Sequence, residues 1–112
     1  MKDCIFCKIA NQEIGTEIVY ENDNVIAFKS IDPKARIHLI ITTKKHYDTI
    51  LDIDDAETIQ DLHKAIKEVS QKFNIYNSGF RLINNCKEDS GQKVMHAHIH
   101  MLGGERLRDA II

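Results

Sequence analysis

The stretch MHAHIHMLGG, residues 95–104, places His96, His98 and His100 at strict alternation with apolar Ala97, Ile99 and Met101. Alternation with a period of two is the mark of a half-buried β-strand, whose successive side chains leave on opposite faces. The strand is expected over 94–102, VMHAHIHML, with Met95, Ala97, Ile99 and Met101 turned to a core. The three imidazoles then share the other face at spacings of roughly 6–7 Å. In RIHLIITT, residues 36–43, His38 stands opposite Ile37, Leu39 and Ile41 in the same way. Two strands thus carry an imidazole-bearing face.

Outward from this stretch, the chain reads as one domain over 1–112, a length at which about two thirds of the unfolded surface is buried on folding. TEIVYENDNVIAFKS, residues 16–30, is two β-rich runs around Asn22-Asp23-Asn24, residues that tolerate left-handed turn geometry, so a hairpin is expected. The segment 54–73 is a helix with Ile59, Leu62, Ile66, Val69 and Phe73 at helical spacing, and CIFCKIANQ, residues 4–12, is a short amphipathic helix with Ile5, Phe6 and Ile9 on one side. GFRLINN, residues 79–85, is the fourth strand, and CKEDSGQK, residues 86–93, a polar loop into the fifth. The sum is an α+β fold: a five-stranded antiparallel sheet with one long helix and a short N-terminal helix, helices on one face.

Composition narrows the function. Fifteen Lys and Arg against 17 Asp and Glu give a net charge of −2, which carries no electrostatic footprint for duplex nucleic acid. No segment is apolar and long enough to span a bilayer, and the N-terminus lacks the apolar stretch of a secretory signal. A cytoplasmic location is expected, with Cys4, Cys7 and Cys86 reduced. Cys4-x-x-Cys7 then reads as a metal half-site or a redox pair, or as two small buried hydrophobes.

Two chemistries fit the histidine row: metal ligation by neutral imidazole, and nucleophilic catalysis in which one ring attacks while its neighbours orient it and assist the leaving group. The preceding Ser90-Gly91-Gln92-Lys93 favours attack on phosphorus, because its backbone N–H groups and the Gln92 and Lys93 side chains can surround an anion.

HAHIHML resembles the His-x-His-x-His signature of the histidine-triad superfamily. CIFCKI, VYENDNVIAF, DPKARIHLIITTKKH and GQKVMHAHIHMLGG resemble its Hint branch, the small purine nucleoside phosphoramidases, from about Cys4 to Gly104. The resemblance implies a homodimer in which two five-stranded sheets join into a ten-stranded one. It implies that His98 attacks the α-phosphorus of a nucleoside phosphoramidate or acyl-adenylate, that water cleaves the nucleotidyl-histidine to the 5′-monophosphate, and that a backbone carbonyl, that of His96, holds the other ring nitrogen of His98. His100 would contact the phosphate and help protonate the leaving amine, with His38 positioning it. Asn85, Gly91, Gln92 and the backbone at Lys93 would hold the phosphate, and Ile5, Phe6 and Phe28 would grip the base. Ser30 stands where many relatives carry an acidic ribose contact, and Lys93 where relatives usually have Ser. Bacterial-type relatives are similar in holding zinc with two cysteines and two histidines, which here would be Cys4, Cys7, His46 and His96. Four protein ligands leave no open position, so that zinc would be structural. Two readings stand beside this one: a dinucleoside polyphosphate hydrolase, and a zinc- or nucleotide-binding module without turnover. His63, on the polar flank of the long helix, reads as a solvated surface residue.

Overall fold

A computed structural model describes residues 4–109, so the two ends of the domain expected over 1–112 lie outside the described residues. Elements follow as α1 (Ile5–Ala10), β1 (Ile18–Glu21), β2 (Val25–Lys29), β3 (Ile37–Thr43), α2 (Ala56–Lys72), β4 (Phe80–Ile83) and β5 (His98–Gly103), with 3-10 turns at Ile50–Asp52 and Glu88–Ser90. The five strands form one antiparallel sheet in the order β1-β2-β3-β5-β4. The α+β expectation therefore holds in strand number, strand direction and helix content.

The β1–β2 hairpin forms, though by different turn chemistry from that expected. No residue of Asn22–Asn24 has positive φ. Instead the Asn22 side-chain oxygen accepts the backbone N–H groups of Asn24 and Val25, and Asn22 N–H donates to Val25 O at 2.9 Å. Asparagine closes this turn through its side chain.

Helix α2 is capped by Asp55, whose carboxylate accepts the Glu57 N–H and the Thr58 hydroxyl. Its inward stripe is Thr58, Leu62, Ala65 and Val69, with Ile66 and Phe73 packed at the margin. Ile59, expected in the core, is 54% exposed, because the stripe runs one residue earlier in the first turn. This face meets Val19, Val25, Ala27, Leu39, Ile41 and Met101 on the sheet.

The opposite sheet face is not bare. Helix α1 lies on it, where Phe6 and Ile9 pack with Phe28 and Ile40, so the two helices occupy different faces and not one. The alternation of β3 explains this: Leu39 and Ile41 point to α2, while His38, Ile40 and Thr42 point to the α1 side. In β5, Met101 faces α2 and His100, paired with Ile40, faces the other way.

The fifth strand starts later than the sequence pattern suggests. It begins at His98, and the chain over 94–96 is a bend in which His96 N–H donates to Val94 O at 2.8 Å. Met95 is consequently 47% exposed, and Ile99 only half-buried. His96 is fully buried and leaves the open row.

Candidate active site and metal-type cluster

The imidazole face is built as a line of rings. Phe6 meets His98 edge-on at 4.8 Å between centroids; His98 meets His100 at 5.0 Å; His100 meets His38 at 5.1 Å. A cavity of about 460 Å3 opens over this line. Its apolar wall is Phe6, Ile40, Ile83, Val94 and Leu102; its polar groups are Ser30, Asp32, Lys34, His38, Asn85, Ser90, Gly91, Lys93, His98 and His100. A pocket with an apolar wall and a few convergent polar groups is the ordinary form of a small-molecule site.

The hydrogen bonds assign each ring's proton. His98 Nδ1 lies 2.7 Å from the carbonyl oxygen of His96. A carbonyl only accepts, so Nδ1 carries the proton and Nε2 keeps its lone pair. On the neighbouring ring the order reverses. Lys34 N–H donates to His38 Nδ1 at 3.0 Å, so His38 bears its proton on Nε2, which donates to His100 Nδ1 at 2.9 Å. His100 is then protonated on Nε2. One ring presents a lone pair to the cavity and the next presents an N–H.

Electrostatics hold these rings neutral. Burial lowers the pKa of His98, partly offset by its bond to the His96 carbonyl. Burial, then the neighbouring His98 and His38, push His100 down to about 4. His38 is lowered by burial and then by the Lys34 ammonium. Desolvation disfavours the charged form of an imidazole, so all three rings are neutral at pH 7, each with one N–H.

Hydrogen bonds to the backbone fix the strand that carries His98. Thr42 Oγ1 donates to Ala97 O at 2.7 Å, Ala97 N–H donates to Tyr47 O at 2.7 Å, and Asn84 Nδ2 donates to His98 O at 2.8 Å. Asn84 escaped the sequence reading, which stopped at Asn85; only the pairing of β4 with β5 brings it into reach. Asp32 and Lys34 also escaped it. They flank Pro33, pair with each other at 3.0 Å, and line the cavity two and four residues after Ser30. The Lys34 ammonium holds the Asp32 carboxyl below the usual carboxylate range.

Other expected contacts sit elsewhere. Gln92 does not line the cavity: its Nε2 donates to the carbonyls of Asp48 and Val94, and its Oε1 accepts Lys87 N–H, so it staples the loop. Phe28 is buried behind Phe6 at 5.5 Å and does not line the cavity, while Ile5 is 45% exposed on the outer side of α1. Gly91 lines the cavity with φ +80, a left-handed conformation that suits glycine. His63 is exposed on α2.

Beside this cavity, ligand atoms of Cys4, Cys7, His46 and His96 all lie within 4.8 Å of one another. His96 Nδ1 is 3.2 Å from Cys4 Sγ and 3.4 Å from Cys7 Sγ, and His46 Nδ1 is 3.2 Å from Cys7 Sγ. Both imidazoles are turned by their far nitrogens: His96 Nε2 donates to Thr43 O at 2.7 Å, and His46 Nε2 to Asp48 Oδ1 at 2.7 Å. Each Nδ1 lone pair therefore points at the sulfur pair, the arrangement by which a neighbouring acceptor orients a ligating histidine. Without a cation, burial and the neighbouring Cys4 push the Cys7 thiol up to about 11. Two sulfurs and two nitrogens gathered in this way can hold a metal ion.

Against known proteins, residues 11–107 match the HIT domain family. The chain is 38% identical over 109 residues to the purine nucleoside phosphoramidase of Escherichia coli K12, covering 95% of this chain and 91% of that protein. It is 35% identical over 99 residues to an uncharacterised HIT-like protein of Methanocaldococcus jannaschii, covering 88% and 77%. Among solved structures it is similar to a histidine triad protein from Clostridium difficile, with TM-score 0.91, 43% identity and 99% and 98% coverage. A HIT family hydrolase from Legionella pneumophila gives TM-score 0.89, 38% identity and 96% and 97% coverage. With the ring array, the five-stranded sheet and these likenesses together, the chain belongs to the HIT domain family.

Proposed function

We propose that this protein is a nucleotide hydrolase of the purine nucleoside phosphoramidase type, in which His98 Nε2 attacks the α-phosphorus. The observation that carries the reading is the pair of opposite tautomers: a lone pair on His98 beside an N–H on His100. In the first step the His98 lone pair forms a P–N bond while the bond from phosphorus to the amine breaks. In the second, water attacks the nucleotidyl-histidine, releasing a nucleoside 5′-monophosphate and restoring the neutral ring. His100 is neutral at pH 7, with a pKa of about 4, so we assign it hydrogen bonding to the phosphoryl oxygens, and the leaving nitrogen draws its proton from water. His38 is the positioning residue that holds the His100 tautomer.

Asn85, Ser90, Gly91 and the Lys93 backbone line the phosphate side in this reading, and Phe6, backed by Phe28, is the apolar wall for the base. Ser30 and Asp32 both line the cavity; we assign them to the ribose hydroxyls, with the Asp32 carboxylate standing in for the acidic group that position 30 lacks. The S2N2 cluster suits tetrahedral zinc in a structural role. A homodimer fits the sheet: β4 is an edge strand on which Leu82 is exposed, open to a partner sheet. A cytoplasmic location suits three cysteines that are all unpaired.

The test is incubation with adenosine 5′-phosphoramidate, following AMP release. Wild-type protein is expected to turn over and His98→Ala to bind AMP without turnover. Equal rates in the two proteins contradict the reading.

A further inference from the structure

Every member of the metal-type cluster lies within two residues of a group that lines the cavity or that ties down a segment lining it. His96 gives its Nδ1 to the cluster and its carbonyl to His98 Nδ1 at 2.7 Å. Cys4 and Cys7 bracket Phe6, which lines the cavity and touches His98 edge-on. His46 precedes Tyr47, whose carbonyl accepts the Ala97 N–H. The second residue on, Asp48, takes the His46 Nε2–H on its carboxylate and the Gln92 amide on its carbonyl, which ties down the loop carrying Gly91 and Lys93. Helix α1 has only six residues, too few to be stable without tertiary anchors. Its anchors are the buried Phe6 and Ile9 and the two sulfurs.

We propose that the Cys4–Cys7–His46–His96 cluster is a positioning device for the nucleotide cavity, so that metal occupancy and nucleotide affinity are coupled. The inference rests on the nucleotide reading above and goes beyond a purely structural ion. With the four ligands drawn together, the Phe6 wall, the His96 carbonyl and the phosphate-side loop are held in one arrangement. When they are released, three independent supports of the cavity loosen at once. Because coupling between two sites is reciprocal, bound nucleotide must also be felt at the cluster.

The experiment titrates zinc-loaded protein with AMP by calorimetry, strips the metal with a chelator, checks retained fold by circular dichroism, and titrates again. Stripping is expected to weaken AMP binding by about tenfold or more, with recovery on returning zinc. A second arm loads Co2+ and records its ligand-field absorption, which should shift when AMP saturates the folded protein. An AMP affinity that stays within about twofold after stripping overturns the inference, as do Co2+ bands that AMP leaves unmoved. Should the stripped protein unfold, the Co2+ arm alone decides. Failure of the zinc-loaded protein to bind AMP at all overturns the nucleotide reading and this inference with it, whereas metal-independent binding overturns the inference only.

Discussion

His96 and His98 stand two residues apart, and they present opposite nitrogens. His96 spends Nε2 on the Thr43 carbonyl and leaves Nδ1 for the sulfurs; His98 spends Nδ1 on the His96 carbonyl and leaves Nε2 for the cavity. The residue type is the same, and burial lowers both pKa values. What separates the candidate ligand from the proposed nucleophile is which ring nitrogen the backbone claims. The metal-type cluster is closed, with four donors converging on one point. The ring line Phe6–His98–His100–His38 is open along one side to a cavity. One arrangement excludes a reactant and the other admits it.

The contrast can be broken most severely at His98. Replacing it with Ala should lower turnover at least about a thousand-fold while leaving the fold and the cluster intact, as the proposed covalent role requires. His38→Ala should cost about ten- to a hundred-fold in kcat, because His100 loses the donor that fixes its tautomer, with smaller change in KM. Steady-state kinetics on the two variants separates an attacking residue from a positioning one, and equal effects would contradict the assignment.

On the closed side, Cys7→Ala should abolish metal content by elemental analysis and lower the melting temperature by about 5–10 °C, as for loss of a ligand to a folding-linked metal site. A variant that keeps its metal and its melting temperature would return the cysteines to the role of small buried hydrophobes.

Acid sharpens the comparison next. His100 titrates near pH 4 folded against about 6.5 unfolded, so between those values the unfolded chain binds more protons. Stability therefore rises with pH across that window and falls as pH drops from about 6.5 toward 4. His98 and His38 are shifted in the same direction and add to the slope. Denaturant melts at pH 5 and pH 7 should show the loss, and His100→Asn should flatten the dependence. The smallest expected effect is at Gln92, where Gln92→Ala removes three loop hydrogen bonds with partial exposure, costing about 1–2 kcal/mol and weakening nucleotide binding without touching the rings.

Much of this was readable in the chain. Period-two alternation located His38, His98 and His100 on one face, and the resemblance to zinc-holding relatives implied Cys4, Cys7, His46 and His96, the four residues that the fold gathers into the cluster. The departures have local causes. Alternation alone does not say where a strand begins, so His96 was assigned to the open row although a bend buries it. The helical spacing of 54–73 placed Ile59 in the core, but packing on the sheet buries Thr58, tied to Asp55, and leaves Ile59 outside. Asn84, Asp32 and Lys34 enter through strand pairing and loop geometry, which periodicity does not encode. Gln92 has the right chemistry for an anion, but nearer backbone partners claim it.

The proposed opposition of the two histidines comes down to whether phosphorus is ever bonded to His98. Wild-type protein mixed with adenosine 5′-phosphoramidate, denatured within a turnover and digested, should yield a peptide carrying an adenylyl group on His98 by mass spectrometry. An adduct found on another residue, or brisk AMP release from protein that never carries one, would contradict the account.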